Sequence, residues 1–195
     1  MKEIRSIPNG SFEVRTMANG QKRVSGYLAV YNQRSVDLGG FTEIVAPGAF
    51  QRSLGGDILL LAQHDTSKVL ARTTSGTLTL RSDDEGLGFD ATLPSTSYAR
   101  DLAESMERGD ISGCSFGFNC ISDDWSLDGE TNAVTRTLRD VNLVEGSIVT
   151  SPAYPQTSVS LRSAPNGIRQ RLKPEFDDYQ QRAILAVLAA RRRTY

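Results

Sequence analysis

The sequence of 195 residues holds one histidine, two cysteines and one tryptophan, and these scarcities remove several classes of chemistry. A single imidazole and two thiols cannot supply the usual ligand set of a structural zinc site, so no metal is expected. No glycine-rich stretch is followed by Lys-Ser or Lys-Thr, which excludes the familiar phosphate-cradling loop, and no other cofactor motif stands out. Cys114 and Cys120 share a face of one apparent strand but lie too far apart along it to bridge, so both are read as free thiols of a reducing compartment. Apolar runs such as Ile58–Ala62 fall far short of the roughly 20 residues that cross a bilayer, and the start MKEIRSIPNG lacks the apolar segment of a secretory signal. A cytosolic chain without a membrane partner is the expectation. The formal net charge of -1 gives no general basic field, which argues against nucleic acid as the main partner while leaving local patches open.

Hydrophobic residues at 38% and charged residues at 23%, with 17 glycines, fit a folded domain with many tight turns rather than a fibrous or disordered chain. Arg23 to Tyr31 alternates in the manner of a strand, with Val24, Gly26, Leu28 and Val30 on one parity. Pro47-Gly48 marks a turn before a short helical stretch at Ala49–Ser53, and Ile58–Ala62 reads as a strand buried on both faces that delivers His64 at its exit. Thr77–Arg81 and Leu87–Leu93 flank a glycine-containing loop as a β-hairpin. Tyr98, Leu102 and Met106 recur every four residues, so Ser97–Arg108 is predicted as a helix stopped by Gly109. Ile111–Cys120 is the next strand, followed by a polar loop over Ser122–Asn132 and two strands near Val134–Leu138 and Leu143–Thr150. Ser163 to Gly167 has the composition of a linker, and Pro174 opens a C-terminal helix predicted over Glu175–Arg193. The fold class expected is mainly β with helices (α+β).

Ser115 has the pattern that most invites chemistry. Parity places Cys114, Phe116, Phe118 and Cys120 on one face of their strand and Gly113, Ser115 and Gly117 on the other. The two glycines leave a bare trough in which another chain could approach the Ser115 hydroxyl, although Gly-Ser-Gly in β proteins also simply relieves crowding. A serine hydroxyl needs a base to take its proton, and His64 is the one imidazole available. A third group would fix the imidazole. Glu145 is the candidate because it shares parity with Leu143, Ser147 and Val149, a costly place for an unpaired charge; a solvated edge-strand carboxylate is the bland alternative. Asp65 adjoins His64 but faces the opposite way. Cys114 reads as a buried inert thiol, Ser112 shares its inward parity, and the acidic stretch Asp123, Asp124, Asp128, Glu130 reads as a solvated turn rather than a calcium loop.

Taken in order, GYLAVY at 26–31, FTEIVAPGAF at 41–50, His64-Asp65, GDISGCSFGF at 109–118, LVEGSIV at 143–149 and Pro152-Ala153-Tyr154 resemble the prohead (capsid maturation) serine proteases of tailed bacteriophages. The order His, Ser, third member is also similar to the herpesvirus assemblins, which use a second histidine that this chain lacks. The phage branch places an acidic residue there, matched by Glu145, although Gly146 stands where many relatives carry valine. The resemblance implies an assemblin-like closed or nearly closed β-barrel flanked by helices. It also implies a serine endopeptidase acting inside the immature prohead in the host cytoplasm, with the scaffold protein or the scaffold-like arm of the major capsid protein as substrate partner, and commonly with cleavage of itself. Residues 23–162 would form the protease domain, with 1–22 as an N-terminal extension and 163–195 as linker and C-terminal helix, processed or capsid-targeting. Ser115 would attack with His64 as base and Glu145 orienting it, Gly113 and Gly117 would line the substrate, and backbone amides at Ser151 and Ala153 are the candidates for the oxyanion. A homo-oligomer, an inactive scaffold-binding protein of the same fold and another serine acyl hydrolase remain open alternatives.

Overall fold

Local period-two and period-3.6 patterns account for most of the elements, and long-range pairing supplies the rest. The computed structural model describes residues 2–7, 12–150, 164–173, 177–178 and 181–182. The strands are β1 (Glu3–Ile7), β2 (Phe12–Thr16), β3 (Lys22–Val30), β4 (Phe41–Val45), β5 (Leu59–Ala62), β6 (Asp65–Arg72), β7 (Leu78–Ser82), β8 (Gly86–Thr92), β9 (Gly113–Leu127) and β10 (Val134–Val149). Helix α1 spans Ser97–Glu107, and residues 166–173 form a second helix, α2. Among the described residues the fold is therefore mainly β with helices. A 3-10 turn at Gln51–Ser53 stands within the short helical stretch expected there.

Two sheets face each other across one apolar core. The first runs β1-β9-β10-β5-β6, with β4 pairing a separate stretch of β10, and the second runs β2-β3-β8-β7. Neither sheet closes on itself among the described residues, so the hydrogen bonds form two open sheets rather than a ring. Val24, Leu28, Leu60, Phe89, Phe116, Phe118 and Ile148 meet between them, and burying side chains of this size stabilises by roughly 1.5–3 kcal/mol each. Helix α1 turns Ala99, Leu102, Ala103 and Met106 into this core, the i, i+3, i+4, i+7 stripe of an amphipathic helix. It ends where Gly109 takes φ +82 and its N–H reaches the Met106 carbonyl at 3.0 Å.

Three local readings need correction. The expected polar loop at Ser122–Asn132 is largely strand, because β9 continues to Leu127. Two of its acidic residues are paired across the ladder, Asp123 accepting from Arg136 Nε at 2.6 Å and Asp124 from Arg139 Nε at 2.7 Å, while Asp128 accepts from the Glu130 and Thr131 N–H groups in the turn beyond. The two strands expected after it are one continuous β10, bent by irregularities in its ladder with β9. The supposed linker at Ser163–Gly167 contains the start of α2, with Arg169 N–H bonded to the Pro165 carbonyl at 2.8 Å. Proline suits a helix start, and Ile168 and Leu172, one turn apart, pack on Leu38, Phe41 and Val134. The helix expected over Glu175–Arg193 falls mostly outside the described residues. The stretch 1–22 supplies β1 and β2, whose pairing partners lie in β9 and β3.

Candidate active site

Strand β9 sorts its side chains as parity requires. Cys114, Phe116 and Phe118 enter the core, where Phe116 meets Phe50 edge to face at 5.4 Å. Ser115 and Gly117 point the other way, yet Ser115 is 0% exposed, which corrects the expectation of an open nucleophile. The cause is β1, which pairs antiparallel along β9 with Ser6 opposite Ser115 and Ile4 opposite Gly117. The Ser115 hydroxyl donates to the Arg5 carbonyl at 2.8 Å and accepts from the Ser6 hydroxyl at 3.3 Å. Among the described residues it makes no hydrogen bond to His64.

His64 sits in the two-residue turn between β5 and β6, where Ala62 pairs with Asp65. Such a turn asks for positive φ at both positions, and Gln63 and His64 adopt φ 55 and 58 although neither is glycine. Left-handed backbone at a residue with a Cβ costs about 1–2 kcal/mol, so the imidazole is held by local strain that the surrounding sheet must sustain. The turn is tied to β10 by the Gln63 N–H, which donates to the Ile148 carbonyl at 2.9 Å. His64 Nδ1 then lies 2.9 Å from Glu145 Oε1.

Glu145 reaches that position through a bulge. Leu143 is opposite Phe118, but Glu145, two residues on, is opposite Gly117, so the register shifts across Val144. A bulge of this kind re-aims the chain, and it corrects the parity assumed from sequence: Leu143 faces the core while Glu145 and Ser147 share the face of Ser115. Ser147, opposite Ser115, donates to Glu145 Oε2 at 2.7 Å. The Lys2 ammonium lies 2.9 Å from Oε1, the same oxygen that meets His64. Burial opposes ionisation of Glu145, but His64, Ser147 and Lys2 outweigh it and hold the carboxyl below its ordinary value. Gly146 turns inward, where an added Cβ would stand 2.5 Å from Leu28 Cδ1. Glycine here therefore permits the sheets to close on Leu28 without disturbing the aim of Glu145.

Gly117 also matters by what it omits. A Cβ there would lie 2.3 Å from Lys2 Cε and 2.5 Å from Glu145 Oε1. Gly113 stands at the start of β9 opposite Val149, while Ser151 and Ala153, the oxyanion candidates, lie outside the described residues. Asp65 does not orient His64: its carboxylate accepts from the Ser67 N–H at 2.9 Å and the Ser67 hydroxyl at 2.6 Å. Burial pushes the Cys114 thiol up to about 12 and Cys120 up to about 11, far from a nucleophilic thiolate at neutral pH. A cleft of about 360 Å³ between the β2–β3 turn and the start of α1 contains none of these groups. An extended peptide needs a sheet edge rather than such a pocket.

Sequence reasoning brought together His64, Glu145 and the Ser115 strand but missed Ser147 and the whole of β1. Ser147 could have been found as the small hydroxyl two positions from the buried carboxylate. KEIRSI carries only two apolar residues among charges and gives no strand signal of its own.

Comparison with known proteins adds an independent line. The family described as caudovirus prohead serine protease matches residues 10–169. The chain is 25% identical over 169 residues to the prohead protease of Enterobacteria phage HK97, covering 85% of this chain and 71% of that protein. The bacteriophage T4 capsid assembly protease superposes with a TM-score of 0.52 at 10% identity, over 77% of this chain and 98% of the other, a likeness of fold. With the family match spanning most of its length, this chain belongs to the caudovirus prohead serine proteases.

Proposed function

We propose that the chain is a serine endopeptidase in which Ser115 is the nucleophile, His64 the general base and Glu145 the group that orients and counter-charges the imidazole. The observation that carries this reading is the bond from His64 Nδ1 to a buried carboxylate on the Ser115 face of the sheet. With Nδ1 engaged, Nε2 is left to accept the hydroxyl proton. Ser115 Oγ then bonds to the substrate carbonyl carbon, and the C–N bond breaks as the departing amine takes the proton from His64. Water hydrolyses the resulting ester with the same base. Backbone amides at Ser151 and Ala153 are proposed to receive the oxyanion, and Gly113 and Gly117 to leave room for the substrate main chain.

The names of the relatives, prohead protease and capsid assembly protease, support a substrate within the capsid assembly; capsid or scaffold protein, cut inside the immature prohead, is the substrate proposed, and cleavage of the enzyme itself is proposed as a further event. Residues 23–162 are proposed as the catalytic domain, 1–22 as an extension laid onto it and 163–195 as a removable or targeting segment. A nearly closed, flattened barrel is the proposed relation between the two open sheets, supported by the approach of β1 to β3 and of β6 to β8. Incubating the chain with capsid and scaffold proteins, beside a Ser115→Ala control, tests the assignment: proteolysis in the first alone is expected, and equal loss of substrate in both would remove it. An inert scaffold-binding role is the second reading, favoured by the burial of Ser115, and the same pair of incubations separates the two.

A further inference from the structure

β1 lies where an extended substrate would have to lie. β10 occupies one edge of β9 and β1 the other, so a peptide that pairs with the nucleophile's strand must take the place of β1. Strand addition of this kind satisfies main-chain groups first, and side-chain pockets then decide which sequences fit. The peptide group at the nucleophile is Arg5–Ser6, since the Ser115 hydroxyl is bonded to the Arg5 carbonyl at 2.8 Å.

The side chains of β1 that face the core enter a charged nest. Arg5 donates to Glu43 through Nε at 2.6 Å and Nη2 at 2.8 Å, and its guanidinium lies over the Phe118 ring. Glu3 receives Arg136 as a fork, Nη1 at 2.7 Å and Nη2 at 3.1 Å. Glu43 and Arg136 are 3% and 1% exposed. If β1 leaves, Glu43 loses both bonds from Arg5 and keeps, among the described residues, its contact with Arg136 at 3.0 Å, while Arg136 loses the fork with Glu3 and keeps Glu43 and Asp123. Two buried carboxylates, Glu43 and Asp123, then share the one guanidinium, so the vacated edge favours a strand that brings a cation to Glu43, and the freed side of Arg136 suits an acidic residue two positions before it.

We propose that β1 is bound as a pseudo-substrate, and that Glu43 and Arg136 select substrate strands of the pattern acidic–any–basic, with cleavage after the basic residue. The inference rests on the proteolytic reading above and names its substrate class. In the resting chain the Ser115 proton is directed to Arg5, and Lys2 shares Glu145 Oε1 with His64, so catalysis awaits displacement of residues 2–7 by a competing strand.

The test uses the full chain and two peptides, one containing Glu-Ile-Arg-Ser and one with Arg replaced by Gln. Mass spectrometry is expected to find the first cut after Arg at least tenfold faster, and Glu43→Gln to erase that preference. Cleavage of capsid or scaffold protein accompanied by equal rates on both peptides, or by cuts elsewhere in them, overturns the proposal and leaves the protease assignment standing. Hydrogen exchange on a Ser115→Ala, Arg5→Gln chain gives a readout without turnover. The Arg peptide at millimolar concentration is expected to slow exchange across residues 113–118 and the Gln peptide is not. Equal protection by the two overturns the proposal even if the chain cleaves nothing, whereas selective protection with no proteolysis by the wild type sinks only the catalytic reading.

Discussion

Glu145→Gln tests the catalytic reading most directly, because it preserves the shape of the side chain and removes its charge. The carboxylate stands 2.9 Å from His64 Nδ1, so the centres of carboxylate and imidazolium are roughly 4 Å apart once His64 takes the Ser115 proton. At an effective permittivity of about 20, two unit charges at that separation attract by about 4 kcal/mol, equivalent to about 10³ in rate. His64 is 21% exposed, and solvent lowers this, so a fall of about 10²–10³ in kcat with little change in KM is expected. The assay is proteolysis of capsid or scaffold protein, with thermal melting as the check on folding. The stability profile supplies a second reading. The folded carboxyl titrates below its unfolded value, so its contribution is fully present above about pH 5. That contribution is lost as pH falls through the lowered folded value, and the melting difference between wild type and Glu145→Gln should shrink on acidification. A folded Gln variant within about threefold of wild-type kcat would refute the role of Glu145, and a melting difference indifferent to acid would refute the electrostatic account.

Gly117→Ala should impair activity by tenfold or more while leaving most of the stability, because the added methyl meets Glu145 Oε1 at 2.5 Å and that oxygen is held by His64; peptide turnover beside a melting curve checks the split. Gly146→Val drives into Leu28 and should cost about 1–3 kcal/mol in urea unfolding, a loss absent if Leu28 can swing away. Cys114→Ala should keep activity within about twofold while lowering the melting temperature, since the buried thiol fills the core; abolished turnover in a folded variant would point to a thiol mechanism.

Much of the candidate site's face on β9 was legible in the sequence because strand parity is a local property. Gly113, Ser115 and Gly117 on one side and Cys114, Phe116 and Phe118 on the other follow from the two-residue repeat of β9 alone. The helix α1 and the β7–β8 hairpin follow likewise from short-range periodicity, and His64 was singled out as the chain's one imidazole. Tertiary structure decided what depends on partners far along the chain. Glu145 joins the Ser115 face through a bulge across Val144, and the need for that bulge arises in the β9–β10 ladder. The left-handed turn that holds His64 forms between two residues with no glycine to announce it. β1 covers Ser115 through pairing that spans more than a hundred positions, driven by ion pairs to Glu43 and Arg136 that a polar hexapeptide does not advertise. Local repeats thus determined which side of the strand carries Ser115, whereas long-range pairing and charge burial determined which groups surround it.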